Sequence, residues 1–232
     1  MANGMSVLAK EAILISTEYI EKGGEIFEVS TYDENGVIVE TVSIKEKKST
    51  IINSSIVDES KRQMLLDISE ERNGFKQNQG ELSINRLSNP YEFNKGAVSS
   101  TNSNVYAGHW GVLEGKLINP FRISSYNGAS RGYYSGSGNA DKIQLAEIYT
   151  FNGASFSISW PPGVTPSSNS ATWRSLAYSN TSLATGYRPN FSARSIQPFF
   201  GLKIDSRADI YLGSKSYPAT VSTSASIWDW SL

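Results

Sequence analysis

Apolar and polar residues alternate in three runs near the start of the chain, and short turns separate the runs. The runs span residues 13–20, 25–32 and 37–44. In the second run, Phe27 and Val29 alternate with polar neighbours, which is the period of a half-buried strand. Asn35-Gly36 lies between the second and third runs and provides the two positive-φ positions of a type I′ turn. The pattern predicts a small antiparallel β-meander.

Helical spacing occurs in two segments of the same region. In residues 58–69, Met64, Leu65 and Ile68 share one helical face, and Asp58 is a suitable N-cap. Residues 8–20 also place apolar side chains on one helical face, so a helix is an alternative to the first strand. The expected N-terminal unit is a meander with one short helix.

The rest of the chain has the pattern of an all-β fold. Between Val221 and Ile227, apolar residues or Thr alternate with Ser, and Pro161-Pro162-Gly163 ends an earlier alternating run sharply. Further strand candidates span residues 105–113, 143–151, 156–160, 171–178, 196–204 and 208–212. Strands at this spacing with Gly, Asn and Ser turns indicate an antiparallel β-sandwich or open barrel. The predicted fold class is therefore mostly β.

The distribution of charge favours two modules. Residues 1–100 contain 16 acidic and 11 basic groups, and residues 101–232 contain 6 and 10, for a net charge of -1. All 5 Trp fall in the second part. We predict an acidic meander and helix module over 1–74, a polar linker over 75–104 and an aromatic- and Ser-rich sandwich over 105–232. A single domain with a long polar loop is the alternative.

Composition excludes several classes of site. The 232 residues include no Cys and a single His, His109, which rules out disulfides, thiolate metal sites and Cys nucleophiles, as well as zinc sites with several imidazoles. The net charge of -1 provides no global basic field for nucleic acid. Two short segments, Arg131-Gly132-Tyr133-Tyr134 and Gly186-Tyr187-Arg188, interleave Arg with Tyr and would bind a polyanion only weakly. We expect no nucleic-acid partner.

Few motifs point to catalysis or to a cofactor. The strand-turn-helix context that a nucleophile elbow needs is absent from the predicted all-β part of the chain, so we interpret His109 as a packed or hydrogen-bonded residue. Gly136-Ser137-Gly138 lacks a following Lys-Ser/Thr and is interpreted as a strand connection. Asp33-Glu34-Asn35-Gly36 has calcium-binding atoms but the spacing of a hairpin turn. Six acids of the second module are candidates for a hydrolytic pair: Glu114, Asp141, Glu147, Asp205, Asp209 and Asp229. No cofactor is expected.

Aromatic side chains are the strongest functional signal. Tyr and Trp rings bind sugars through their large apolar faces, while neighbouring polar groups bind the hydroxyls. Rings in or beside polar turns, or near the end of the sequence, are the candidate ligand-binding residues: Tyr133, Tyr134, Trp173, Tyr187, Trp228 and Trp230. If these rings are exposed, they predict contact with a polysaccharide or cell-wall polymer, or with a membrane surface. If they are buried, they are core residues.

Two segments carry a resemblance in composition. Thr17-Glu18-Tyr19-Ile20-Glu21-Lys22-Gly23-Gly24 resembles the segment that follows the signal peptide in secreted proteins of Gram-positive bacteria. Ser159-Trp160-Pro161-Pro162-Gly163, before a polar loop, is similar to the Ser- and Trp-rich parts of such proteins. The resemblance implies a secreted, extracellular protein, although no signal peptide is visible in this sequence.

These observations lead to one main functional hypothesis and two alternatives. The main hypothesis is an exported non-catalytic binding protein that contacts an extracellular glycan or cell-surface partner through exposed aromatics. The first alternative is a membrane-active bacteriocin or pore-forming toxin, because Tyr217–Ile227 has the alternation of a membrane-inserting ribbon. The second alternative is a carboxylate-dependent glycan hydrolase.

Overall fold

The chain forms two antiparallel sheets and one long helix. The computed structural model describes residues 11–47, 54–77, 91–116, 119–152, 156–159, 164–166, 169–195, 197–226 and 229. The first part contains β1 (Ile13–Lys22), β2 (Glu25–Glu34), β3 (Val37–Lys47), α1 (Ser54–Gln77), β4 (Tyr91–Val98), β5 (Val105–Lys116), β6 (Asn119–Tyr134) and β7 (Ala140–Asn152). The second contains β8 (Phe156–Ser159), β9 (Val164–Pro166), β10 (Ser170–Arg174), β11 (Tyr178–Thr181), β12 (Leu183–Arg188), β13 (Phe191–Ser195), β14 (Gly201–Leu212) and β15 (Lys215–Ser226). The predicted mostly-β class with packed antiparallel sheets and a helix is confirmed.

Strand β6 is the centre of the larger sheet, sheet A. Along one edge β6 pairs with β5, which in turn pairs with β4. Along its other edge β6 pairs first with β13 and then with β12. Strand β12 continues the sheet to β3, β2 and β1, and β13 continues it to β8. The N-terminal meander is thus hydrogen-bonded to a strand that lies far along the chain.

Sheet B is smaller and packs against one face of sheet A. Its order is β15-β14-β7-β10-β9, and β11 also pairs with β7. Two apolar clusters fill the space between the sheets: one includes Val39, Leu145 and Ile210, and the other includes Phe151 and Leu202. Burial of this apolar surface is the main stabilising contribution to the sandwich.

A belt of buried polar residues separates these two apolar clusters. Along β7, Leu145 belongs to the first cluster, Glu147 is polar, and Tyr149 belongs to the second. The same order recurs on β14, where Ser206 lies between Ala208 and Ile204. We call this layer the polar belt; its members are Glu147, Ser206, His109 on β5, Thr223 on β15 and Arg188 on β12. The period of two in a strand places all of them on the inward faces.

Helix α1 covers part of the opposite face of sheet A. Leu65 and Ile68 are fully buried there, in a cluster with Phe27 and Val29 of β2. Lys61 of α1 donates from Nζ to the backbone oxygens of the loop between β6 and β7. Among the described residues, no helix is both long enough and apolar enough to cross a membrane.

The helix is longer than the predicted 58–69 segment. It begins at Ser54, so Asp58 lies inside it and is not its cap. It continues beyond Ser69 to Gln77, and Arg72 in this extension binds Glu18 of β1 and Glu40 of β3. These ion pairs hold the additional turns of α1 against the meander.

Two predicted strands have different boundaries in the structure. Of the predicted strand 196–204, residues 197–200 lie outside any strand and β14 begins at Gly201, since Pro198 lacks the N–H that a ladder needs. Residue 196 lies outside the described residues. The predicted strand 171–178 is split into β10 and β11 at Ser175, whose Oγ accepts from the backbone N–H of Leu145 at 2.8 Å. The first strand is confirmed as β1, and the helical alternative over residues 8–20 is wrong for Ile13–Ile20.

The Asn35-Gly36 hairpin is confirmed. Asn35 and Gly36 have φ values of 56° and 85°, as a type I′ turn requires. The Asp33 carboxylate accepts a hydrogen bond from the backbone N–H of Gly36 at 2.6 Å. Part of the predicted linker, Tyr91–Val98, is strand β4. The division into two independent modules stays a prediction.

Candidate functional site

A cleft of about 210 Å³ lies between α1 and strands β4, β5 and β6 of sheet A. Its lining residues come from α1, β4, β5 and β6: Arg62, Gly96, Ala97, Val98, Tyr106, Ala107, Gly108, Arg131 and Tyr133. The strand register brings these residues together, because Tyr106 is the partner of Tyr133, and Gly108 is the partner of Arg131. We call this the basic aromatic cleft.

Both arginines of the cleft lie against aromatic rings. The Tyr106 and Tyr133 rings are stacked, with centroids 4.6 Å apart and planes 8° apart. The Arg62 guanidinium lies 4.8 Å from the centroid of Tyr106, and the Arg131 guanidinium lies 5.2 Å from that of Trp110. Cation–π contacts of this kind orient a guanidinium while leaving its N–H groups available. The rings therefore hold the cations, and the cations are the polar groups presented in the cleft.

The positive charge of the cleft is only partly neutralised. The Nε atoms of Arg62 and Arg131 are buried and have no hydrogen-bond partner among the described residues. Arg62 has an ion pair with Glu59, at 3.5 Å on the exposed side of α1. Within the described ranges no carboxylate forms an ion pair with Arg131, although Glu70 attracts it at longer range. Buried donors without an acceptor are rare in proteins, so the polar groups of this cleft are incompletely satisfied by the protein itself.

Burial shifts the pKa values of Arg131 and Tyr133, in each case disfavouring the charged form. It lowers the pKa of Arg131, because the charged guanidinium loses hydration. The side chain still remains charged at neutral pH, since the ordinary pKa of Arg is far above 7. Burial raises the pKa of Tyr133, so that its hydroxyl stays protonated. The cleft therefore offers charged guanidinium donors and neutral phenols.

Gly108 creates the space for Arg131. A Cβ at position 108 would lie 3.1 Å from Arg131 Nε and 3.3 Å from its Cγ. Both distances are shorter than normal van der Waals contacts, so a side chain at this position would push the guanidinium aside. The absence of a side chain on β5 thus allows Arg131 to lie across the strand toward Trp110.

The polar belt is a second cluster of titratable groups, and it is closed to solvent. His109 Nδ1 is 2.9 Å from Ser206 Oγ, and its Nε2 is 2.7 Å from Thr223 Oγ1. Arg188 makes a bidentate pair with Glu147, with both N–O distances at 3.0 Å. His109 is 0% exposed and Glu147 is 1% exposed. A Ser and a His in contact suggest hydrolysis, but no substrate reaches this layer.

Five of the six candidate acids bind a local partner. Glu147 is paired with Arg188 in the core. Three others bind local partners: Asp205 accepts from Ser222, Asp209 from Arg207, and Asp141 from the backbone N–H of Gly213. Asp229 accepts from Ser226, and Glu114 lies on β5 at the register position of Ser124. In the part of the chain that the structure describes, no three His, Asp or Glu side chains meet as a metal site requires.

Of the four candidate aromatic residues that the structure describes, only Tyr133 lines the cleft. Tyr133 is 5% exposed, while Trp173 is 4% exposed in the core between the sheets. Tyr134 and Tyr187 are partly buried, beneath Lys61 and against Glu40 respectively. Trp228 and Trp230 lie outside the described residues. These four rings are largely covered by the packing of the two sheets and α1. A ligand-binding role for the six candidates stays a prediction.

Arg62, Tyr106 and Arg131 were absent from the predicted set of ligand-binding residues. The sequence carries a signal for Arg131 and Tyr106. Arg131 shares one face of β6 with Tyr133, and Tyr106 shares one face of the partner strand β5 with Gly108. Arg62 gave no such signal, since its position depends on how α1 docks on the sheet. No protein-family model, curated protein or solved structure matches this chain.

Proposed function

We propose that this chain is an exported, non-catalytic binding protein that takes an anionic group of an extracellular glycan into the basic aromatic cleft. The observation that carries the proposal is the pair of guanidiniums that line one cleft, in which Arg131 forms no ion pair with a described acid. Guanidinium groups bind carboxylate, sulfate and phosphate oxygens with short, charge-assisted hydrogen bonds.

The size and charge of the cleft favour a small acidic group over a nucleic acid. The cleft contains two cations, whereas proteins that bind duplex DNA typically make about 6–10 phosphate contacts. Its phenol hydroxyls and its backbone edge at Val98 suit the hydroxyls of a sugar that carries the anion. The aromatic residues support this function by fixing the arginines, rather than by presenting open ring faces as the sequence suggested.

The residues around the cleft favour binding without catalysis. None of its lining residues is a Ser, Thr, His, Asp or Glu, which are the usual nucleophiles and general bases. Tyr133 stays protonated because burial raises its pKa. Guanidiniums and neutral phenols hold an anion in place but do not by themselves supply a nucleophile.

The proposal is tested by titration of the chain with defined polysaccharides. Trp110 lies beneath Arg131 and serves as a fluorescent reporter. We expect polygalacturonate or dextran sulfate to change the emission, and neutral dextran of the same length to leave it unchanged. Comparison of polygalacturonate with dextran sulfate shows whether the cleft prefers a carboxylate or a sulfate. High salt should weaken the binding, because exposed ionic contacts are screened.

Two variants and one matched control locate the site. Arg131→Gln should weaken binding of the acidic polymer about tenfold or more, since a hydrogen bond to a charged group contributes about 1.5–3 kcal/mol. Gly108→Ala should weaken binding by displacing Arg131. Arg174→Gln removes an Arg whose side chain is 51% exposed on sheet B and should leave binding unchanged. Equal binding of neutral and acidic polymers, or an unchanged affinity in Arg131→Gln, would show that the cleft is not the site.

A further inference from the structure

Two exposed phenylalanines lie at the end of the sandwich opposite the basic aromatic cleft. Phe200 is 62% exposed and Phe121 is 43% exposed. Phe121 lies near the start of β6, close to the β5–β6 hairpin, and Phe200 directly precedes β14. The chain crosses between the sheets at this end, from Ser195 at the end of β13 to Gly201 at the start of β14. Large apolar side chains that project into water at one end of a domain are typical of an interaction surface.

Positive charge accompanies the two rings. Arg122 on β6 and Arg194 on β13 are register partners, and both are exposed. Arg122 donates to Ser192 Oγ at 2.8 Å, and neither Arg forms an ion pair with a described acid. Segments 119–125 and 191–204, which form much of this end, contain no Asp or Glu. One acid, Asp229, lies beside them, where its carboxylate accepts from Ser226, the register partner of Gly201. We call Phe121, Phe200, Arg122 and Arg194 the aromatic end.

From this combination we infer that the aromatic end docks on an anionic lipid bilayer. Phenylalanine rings enter the boundary between headgroups and acyl chains, where their burial is favourable. The two guanidiniums then lie at the level of the lipid phosphates and are attracted by the negative surface potential. A neutral protein partner would not explain why two arginines without an ion pair to a described acid are grouped with the rings.

Docking through the aromatic end determines how far the basic aromatic cleft lies from the bilayer. Phe121 and Arg131 are ten residues apart on β6, which at about 3.3 Å per residue is roughly 30 Å of strand. A chain docked through Phe121 and Phe200 would therefore hold the cleft away from the bilayer. The inference does not depend on the proposed function, since it uses different residues at the other end of the same strand.

The test is co-sedimentation of the full chain with vesicles of defined composition. We expect binding to vesicles of phosphatidylcholine with 30% phosphatidylglycerol, and at least tenfold weaker binding to pure phosphatidylcholine. The double variant Phe121→Ser/Phe200→Ser should lose more than tenfold in binding to the anionic vesicles. The double variant Arg122→Gln/Arg194→Gln should lose about fivefold per Arg on the same vesicles.

Control variants distinguish binding through the aromatic end from nonspecific adsorption of exposed apolar side chains to vesicles. Ile15→Ser removes an apolar side chain that is 56% exposed on β1, an edge strand of sheet A, and should bind like the parent chain. The Phe and Arg variants change exposed residues, so their thermal unfolding should match that of the parent. The inference is overturned if the parent does not bind anionic vesicles. It is equally overturned if the Phe double variant binds them normally, or if Ile15→Ser loses as much binding as that variant.

Discussion

Acidification should destabilise the fold through the single histidine of the polar belt. His109 is fully buried, and its two ring nitrogens face the hydroxyls of Ser206 and Thr223. Burial, followed by the nearby charge of Arg188, lowers the pKa of His109 from 6.5 to about 4, against weaker opposing attraction from Glu147. The folded protein therefore keeps a neutral imidazole at pH values at which the unfolded chain is already protonated.

The size of the effect follows from the two pKa values. The interval from 6.5 in the unfolded chain to about 4 in the folded protein corresponds to about 3 kcal/mol. Because the folded pKa is the lower one, the unfolded state binds the proton first as the pH falls. This contribution to stability is complete above about pH 6.5 and is lost progressively down to about pH 4. Below pH 4 both states are protonated, and the loss stops.

The assay is urea unfolding of the parent and of His109→Gln at intervals between pH 4 and pH 8. Gln keeps polar atoms next to Ser206 and Thr223 but does not titrate. The parent should lose up to about 3 kcal/mol more stability than the variant over this range. Carboxylates that titrate at the acidic end affect both proteins equally and cancel in the difference.

The test is decided by how the difference in unfolding free energy between the parent and His109→Gln changes with pH. The reasoning requires the free energy of unfolding of the parent minus that of the variant to fall by up to about 3 kcal/mol between pH 6.5 and pH 4, whatever its value at pH 8. Parallel curves would refute it, because they would mean that His109 has the same pKa in the folded and unfolded states. A change in the urea dependence itself would indicate a change in the denatured state and is checked from the same data.

Other substitutions test the packing around the belt and the hairpin. Glu147→Gln should cost about 3–5 kcal/mol in urea unfolding, because it leaves the buried Arg188 without its counter-charge, and Glu147→Gln/Arg188→Met should recover part of that loss. Gly186→Ala should cost about 1–3 kcal/mol and shift Trp emission, since its Cβ would lie 2.6 Å from Trp173 Cη2. Gly36→Ala should cost about 1–2 kcal/mol in thermal unfolding because φ at this position is 85°.

Sequence patterns predicted the elements that are stabilised locally. The Asn35-Gly36 turn and the alternation of β2 are encoded in a few adjacent residues, so the hairpin was identified correctly. Strand β6 was missed because its sequence, rich in Asn, Ser and Gly, reads as a loop. Its stability comes from pairing on both edges with strands that are distant in sequence.

Two glycines of β6 show why its composition was misleading. A Cβ at Gly132 would lie 2.4 Å from Ala208 Cβ on sheet B, so this glycine allows the two sheets to approach. A Cβ at Gly128 would lie 2.5 Å from Arg188 Nη1, so this one leaves room for the buried guanidinium. Both requirements come from tertiary packing, which a single sequence does not display.

The cleft was predictable only in part for the same reason. Arg131 and Tyr133 lie two residues apart, and their common face follows from the strand period. The approach of Arg62 depends on the docking of α1, and the burial of Trp173 depends on the partner sheet. Exposure of aromatic residues is a property of the assembled layers, and composition near turns did not reveal it.

The pairing of β3 with β12 imposes an order on synthesis of the chain. Strand β3 ends at Lys47, and its partner begins at Leu183. At about 5–20 residues per second, a ribosome needs on the order of ten seconds to make the intervening polypeptide. During this time the edge of β3 that later pairs with β12 remains unpaired, and it can form hydrogen bonds with other nascent chains. Factors that shield newly made polypeptide should therefore improve the yield of this protein more than they would for a fold closed by neighbouring strands.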